Sequence, residues 1–186
     1  MTRAGVALIA FVALAALVAV GALADADRAI LDLVQRPETS WLDLAASVVT
    51  TFGQSEVVGS IALGVAVVRL RHRRRDWWVP LLLALVVAIE FVLKFTIVQP
   101  PPPEELARSI RFVPFLEGPR AFAFPSGHVG RVAFLVVALR WQTSLSAAVV
   151  LVMALSRIYL AEHWPSDVLG GWLLGYTIAA AGRERA

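Results

Sequence analysis

The residues SRIYLAEHWPSD at positions 156–167 decide how the rest of the chain is interpreted. They lie where one long apolar run ends and another begins, at the depth where a membrane would end. Pro165 favours the first position of a new helix, so Asp167 is predicted to be its third residue and to reach back to His163. A carboxylate on one imidazole nitrogen leaves the other as a base, a nucleophile or a ligand. With Arg157 closing the preceding run, the stretch predicts a site where histidine attacks a bound anion.

The composition is typical of an integral membrane protein. Of the 186 residues 59% are hydrophobic, and the mean hydropathy is +0.74, whereas soluble domains are ~45–50% apolar. The basic residues cluster at the ends of apolar runs, so the net charge of +3 does not indicate nucleic-acid binding. There is no cysteine for a disulfide or a thiolate metal site. Because the chain has only three histidines, a metal site would need carboxylate ligands.

Six apolar stretches predict an all-α fold, a bundle of six membrane-spanning helices forming one domain over residues 1–186. The first, residues 4–24, also has features of a signal peptide, but its apolar core exceeds the ~7–15 residues of such peptides, so we expect a retained helix. The other five stretches are about 56–70, 77–98, 126–141, one that ends near 159, and 165–181.

Between the first two spans, residues 25–52 predict short amphipathic helices on the membrane surface. Ile30, Leu33 and Val34 form an apolar face. The opposite face carries Asp27, Arg28 and Asp32.

The charge distribution predicts the orientation in the cell membrane. The arginine-rich run at 69–75 is typical of a cytoplasmic loop. In a six-span topology both termini are then cytoplasmic, together with Arg140. The polar constellations fall on the outer side, including Lys94, His128, His163 and Asp167.

A second constellation, Pro125-Ser126-Gly127-His128, opens the fourth predicted span. Ser126 is a favoured N-cap, and Gly127 lets a ligand approach the backbone closely. Free amides and the helix dipole make such a helix start an anion site. His128 on the first turn is placed to give a proton to a leaving oxygen. Taken alone, the tetrapeptide is equally consistent with a capped helix start that carries an interfacial histidine.

Lys94, the only lysine in the chain, lies near the outer end of the third predicted span, four residues after Glu90. It can supply a compact ammonium to the same site, or snorkel to the interface, or neutralise Glu90. Arg157 and Asp167 can likewise form an ion pair that is only structural. Ionisable groups at membrane depth are costly and usually functional, which favours a site.

These residues resemble the signature of the type 2 phosphatidic acid phosphatase (PAP2) family, which also includes vanadium haloperoxidases and bacterial acid phosphatases. The segments PSGH at 125–128 and SR-x5-H-x3-D at 156–167 are similar to two of its three motifs. Lys94 with Pro102 resembles the first motif, a lysine followed after six residues by Arg-Pro. The resemblance covers a motif-bearing core at about residues 50–182.

The resemblance implies a membrane lipid phosphatase in which His163 is the nucleophile of a phosphohistidine intermediate and Asp167 orients it. His128 would protonate the leaving alkoxide or phosphate. The phosphoryl oxygens would be held by Lys94, Arg157 and the amides around Ser126 and Gly127. Because cations and helix amides can stabilise phosphoryl transfer, we expect neither a metal nor another cofactor.

One position departs from the family pattern, since Pro101 stands where the first motif has its arginine. Losing such a charge contact can cost on the order of a hundredfold in rate. Four arginines are candidates to replace it: Arg131, Arg108, Arg111 and Arg120.

We therefore predict hydrolysis of a phosphomonoester or diphosphate on a membrane lipid. The family suggests an isoprenoid diphosphate, phosphatidylglycerol phosphate or phosphatidic acid, and the sequence does not choose among them. Two alternatives stay open. One is a lipid phosphotransferase with the same intermediate. The other is a non-catalytic protein that binds lipid phosphate, against which the presence of His128, His163 and Asp167 argues. The oligomeric state cannot be read from the sequence.

Overall fold

The computed structural model describes residues 1–110, 112, 122–141 and 143–186, and over these residues the chain is all-helical. Two short 3₁₀ helices occur at Val79–Leu82 and Glu104–Leu106. The α-helices of the described residues are α1 Arg3–Ala19, α2 Ala24–Val34, α3 Ser40–Thr51, α4 Ser55–Arg71, α5 Leu83–Thr96, α6 Gly127–Ala138, α7 Thr143–Tyr159 and α8 Pro165–Glu184.

Helix length and apolarity identify fewer spans than the predicted six. Within the described residues, the continuous segment Val79–Thr96 is long and apolar enough to cross a bilayer alone. The pairs α1–α2, bent by 97°, and α3–α4, bent by 41°, pass the same test only when each pair is taken as one span. Helices α6 and α7 are shorter apolar helices. One to three spans are thus supported, and six stays a prediction.

Helix α2 buries Asp27 and Leu31 against the rest of the protein. Ile30 and Leu33 are 43% and 54% exposed, whereas Asp27 is only 4% exposed. The Asp27 carboxylate accepts hydrogen bonds from the backbone N–H and the hydroxyl of Ser166, at 2.8 and 2.6 Å. Ser166 lies in the first turn of α8, where backbone N–H groups have no partner within the helix. Asp27, placed by its spacing on the polar face, therefore joins two helices instead of facing water.

Helices α6 and α8 approach each other closely through glycines. A methyl group on Gly171 would overlap the carbonyl oxygen of Ser126, and one on Gly175 would overlap that of Gly130. Small residues allow helix backbones in membranes to pack at short distance. The backbone N–H of Ser126 also donates a 2.9 Å hydrogen bond to the carbonyl of Asp167. The start of α6 is thereby held against the start of α8.

We expect Gly175→Ala to destabilise the protein, because the added methyl group must push α6 and α8 apart. Inserting a methyl group into a packed interior costs about 1–3 kcal/mol. Gly64→Ala is the matched control, since nothing lies within 4 Å of a Cβ built at Gly64. Thermal unfolding in detergent should show a lower midpoint for Gly175→Ala than for the control. Equal midpoints would contradict the close packing.

Candidate active site

His163 and Asp167 lie at the junction of α7 and α8, in the arrangement that the sequence predicts. Pro165 is the first residue of α8 and Asp167 the third. Asp167 Oδ2 lies 3.4 Å from His163 Nδ1 and accepts a 2.8 Å hydrogen bond from the backbone N–H of Trp164. Both side chains are buried. The carboxylate on Nδ1 fixes the ring, so Nε2 is the nitrogen with which His163 would attack.

Ser126, Gly127 and His128 begin α6 directly beside this pair. Ser126 is the N-cap residue of α6, but its side chain makes no capping hydrogen bond, in contrast to the expectation for its hydroxyl. Its Oγ is buried and has no hydrogen-bond partner within the described part of the chain. A buried hydroxyl without a partner is costly. The position therefore suits a ligand oxygen.

The imidazole of His128 is held on two sides. A Cβ built at Gly53, in the break between α3 and α4, would lie 2.8 Å from ring atom Cδ2. On another side, Arg131 Nη2 lies 3.5 Å from Nδ1. Atom Nε2 is buried and, among the residues described, has no hydrogen-bond partner. Nε2 is thus the nitrogen that His128 offers to a ligand.

Lys94 and Arg157 supply positive charge from α5 and α7, and each has an acidic neighbour. Lys94 Nζ lies 3.1 Å from Glu90 Oε1. The ion pair in which Lys94 neutralises Glu90, one of the alternatives from the sequence, is therefore present. Arg157 Nη1 donates a 2.5 Å hydrogen bond to Thr50 Oγ1. Its Nη2 lies 3.4 Å from Glu162 Oε2, so among the described residues Arg157 forms an ion pair with Glu162.

The predicted site residues converge on one place. The ring of His128 lies within electrostatic range of four other side chains, namely Arg157, Arg131, His163 and Lys94. The charge of Lys94 also reaches Asp167. The end of α5 and the two motifs therefore lie close enough together to belong to one candidate site, with two imidazoles, one buried acid and several cations.

Four arginines are candidates to replace the family's arginine, whose position is occupied here by Pro101. Two of the four lie within the described residues. Arg131 lies inside the site, next to His128. Arg108 instead pairs with Glu38 at 3.4 Å and lies over the ring of Tyr159. The other two candidates, Arg111 and Arg120, lie outside the described residues.

Sequence reasoning missed Thr50, Gly53 and Asp27. Residues 25–52 are predicted to form surface helices, and no motif marks Thr50 or Gly53. The one available signal for Asp27 was an acidic residue close to the end of an apolar run.

Within the described residues there is no group of three or more His, Asp or Glu residues placed to hold a metal ion.

Comparisons with known proteins agree with the motifs. Residues 75–183 match the family model of the PAP2 superfamily. Over 143 residues the chain is 34% identical to the decaprenylphosphoryl-5-phosphoribose phosphatase of Mycobacterium tuberculosis, covering 73% of this chain and 78% of that protein. Over 66 residues it is 36% identical to the undecaprenyl-diphosphatase of Sulfolobus acidocaldarius, which covers 33% of this chain and 32% of that protein.

The fold is also similar to a solved structure. The crystal structure of a transmembrane PAP2 type phosphatidylglycerolphosphate phosphatase from Bacillus subtilis aligns with a TM-score of 0.78 at 23% identity. The alignment covers 100% of this chain and 96% of that one. The relatives compared are phosphatases of lipid phosphates or diphosphates, which supports a phosphatase. Because the family model covers more than half of the chain, the chain belongs to the PAP2 superfamily.

Proposed function

We propose that this protein is a membrane lipid phosphatase that works through a phosphohistidine on His163. The observation that carries the proposal is the arrangement at the start of α6. His128 Nε2 and Ser126 Oγ are both buried and without partners among the described residues. They lie beside the His163–Asp167 pair and near three cations. A phosphate would satisfy these atoms and face the nucleophile at the same time.

In the proposed reaction, His163 Nε2 attacks phosphorus while the bond from phosphorus to the leaving oxygen breaks. Asp167 stabilises the positive imidazole ring that forms. Lys94, Arg157 and the amides at the start of α6 hold the phosphoryl oxygens. His128 acts on the leaving oxygen through Nε2. Water then attacks phosphorus, which releases inorganic phosphate and restores His163.

A long cavity supports a substrate with a lipid tail. It has a volume of about 860 Å³ and lies between α6, α7 and α8. Its α8 lining runs from Pro165, two residues after His163, through Trp172 and Tyr176 to Glu184. Most of its other walls are Val, Ala and Leu side chains. A hydrocarbon chain that enters this cavity beside Pro165 would leave its phosphate near the start of α8.

The proposal includes six spans, cytoplasmic termini and a site at the outer face of the cell membrane. The similarity in fold to a transmembrane phosphatase supports a multi-pass arrangement. The arginine run at 69–75 supports its orientation, since basic loops remain on the cytoplasmic side. Lys94, His128 and His163 then lie on the opposite side.

The test is product analysis with the purified full chain in detergent and chelator. We expect free phosphate from at least one of undecaprenyl diphosphate, phosphatidylglycerol phosphate and phosphatidic acid. A lipid phosphotransferase would place the phosphate on an added lipid or sugar acceptor, with little free phosphate. Binding of these lipids without any turnover would support the non-catalytic alternative and overturn the proposal.

A further inference from the structure

Glu90 lies between two cations that belong to different helices. Its Oε1 is 3.1 Å from Lys94 Nζ and its Oε2 is 2.8 Å from Arg131 Nη1. The side chains of Glu90 and Arg131 are only 10% and 8% exposed. Buried charges need such partners, because an unpaired one is strongly destabilising. Glu90 therefore fixes where both cations lie.

Gly127 of the PSGH segment packs directly on this carboxylate. A methyl group at Gly127 would overlap the carboxylate atoms of Glu90. The absence of a side chain is what lets Glu90 reach across from α5 to Arg131 on α6. The carboxylate thus packs against the start of α6, next to the residues that would face a bound phosphate.

Arg131 has a protein neighbour at each of its three guanidinium nitrogens. Nε donates a 3.0 Å hydrogen bond to the carbonyl of Gly53, and Nη1 binds Glu90. Nη2 faces His128 Nδ1 at 3.5 Å. All three nitrogens of Arg131 thus contact protein groups. This geometry favours a role in positioning His128. It does not favour binding phosphate in place of the arginine that the family has at the position of Pro101.

The contact with Arg131 favours one protonation state of His128. A guanidinium carries only N–H donors, so the nitrogen that faces it must accept. Nδ1 is then unprotonated, and the proton of the neutral ring is on Nε2. A further proton would put a positive charge beside Arg131, with Arg157 and Lys94 also in range of the ring. The nearby anion, Glu90, is already engaged by two cations.

We propose that Arg131 and Glu90 are positioning residues that keep His128 neutral with its proton on Nε2, and that the enzyme therefore prefers lipid diphosphates to lipid monophosphates. The inference rests on the proposed phosphatase function. A neutral imidazole donates a hydrogen bond but does not give up its proton. That suffices when the leaving group is a phosphate, which departs as an anion. It does not suffice for an alkoxide, which needs a full proton.

The reaction balances without proton transfer from His128. His163 Nε2 forms a bond to the terminal phosphorus as the bridging P–O bond of the diphosphate breaks. The lipid monophosphate leaves as an anion whose oxygen accepts the hydrogen bond from His128 Nε2. Water then breaks the N–P bond, and both of its protons leave with the inorganic phosphate.

The experiment compares undecaprenyl diphosphate with undecaprenyl phosphate, whose tails are identical. We expect a kcat about a hundredfold higher for the diphosphate, since a positioned general acid is worth at least about that factor. Arg131→Met should lower the ratio of the kcat for the diphosphate to the kcat for the monophosphate at least tenfold, because His128 can then take up a second proton. If the single variant fails to fold, the double variant Glu90→Gln/Arg131→Met removes both paired charges together. It should also lower the ratio of the two kcat values at least tenfold.

Arg69→Met is the matched control. Arg69 is also largely buried, where it binds the carbonyl of Ala138 and pairs with Asp76, and its loss should leave the ratio unchanged. Equal kcat values for the two lipids in the wild type, or a ratio that the Arg131 variants do not alter, would overturn the inference. A wild type that releases no phosphate from any lipid would overturn the proposed function itself.

Nitrogen NMR of ¹⁵N-histidine protein tests the positioning independently of turnover. The His128 signals, assigned by their loss in His128→Ala, should show an unprotonated Nδ1 and a protonated Nε2. Arg131→Met should change this pattern. A proton on Nδ1 in the wild type would contradict the role of Arg131 even if the enzyme hydrolyses diphosphates.

Discussion

Phosphate release is expected to fall by on the order of a thousandfold or more in His163→Ala, because the substitution removes the nucleophile. Asp167→Asn should lower kcat as well, since the amide can still accept the Trp164 N–H bond but no longer stabilises a positive ring. Steady-state assays on a lipid phosphate, with thermal unfolding to confirm that each variant folds, measure both effects.

The matched control is His72→Ala, which removes an exposed histidine at the C-terminal end of α4. It should retain wild-type activity. If His163→Ala kept more than about a tenth of the wild-type rate, a residue other than His163 would have to be the nucleophile.

Gly53→Ala is expected to cost about a hundredfold in kcat, since displacing a catalytic group by about 1 Å can have that effect. The new methyl group would lie 2.8 Å from Cδ2 and 2.9 Å from Cβ of His128, so the ring must move. Gly53 does not have a positive φ, so its backbone accommodates alanine. The loss should therefore appear in kcat and much less in the unfolding temperature.

Gly59→Ala separates this effect from the general cost of replacing glycine in this region. Gly59 lies on α4 one turn beyond its start, and nothing lies within 4 Å of a Cβ built there. We expect wild-type kcat for Gly59→Ala. Similar kcat values for the two alanine variants would show that Gly53 does not hold the His128 ring.

The parts of the site that follow from local rules could be predicted from the sequence. Pro165 at a helix start places Asp167 one turn from His163. A spacing of four residues on a helix brings Lys94 to Glu90. These contacts need no knowledge of the rest of the fold, and the structure shows both of them.

The contacts between distant segments could not be predicted in the same way. Asp27 binds Ser166 across 139 positions, and Gly53 binds Arg131 across 78. Hydrophobic periodicity describes which face of a helix is apolar, but it does not identify the element that covers the other face. For this reason Asp27 is predicted to be a surface residue, and no motif marks Gly53.

The length of α6 could not be predicted either, for a related reason. Hydropathy extends the fourth apolar stretch to 126–141, but α6 has only 12 residues and ends at Ala138. Arg140 then adopts a left-handed backbone conformation with φ of 59°. Twelve helical residues rise about 18 Å, which is less than the ~30 Å of a hydrocarbon core. Apolar composition alone therefore overstates the length of this helix.

The most direct test of the central claim is to trap the phosphorylated enzyme. Wild-type protein is mixed with a lipid diphosphate that carries ³²P in its terminal phosphate, quenched in alkali within one turnover, and digested for mass spectrometry. We predict one acid-labile phosphate on His163, in the segment 156–167, and none in His163→Ala. Turnover without label on the protein, or label on another residue, would contradict the account.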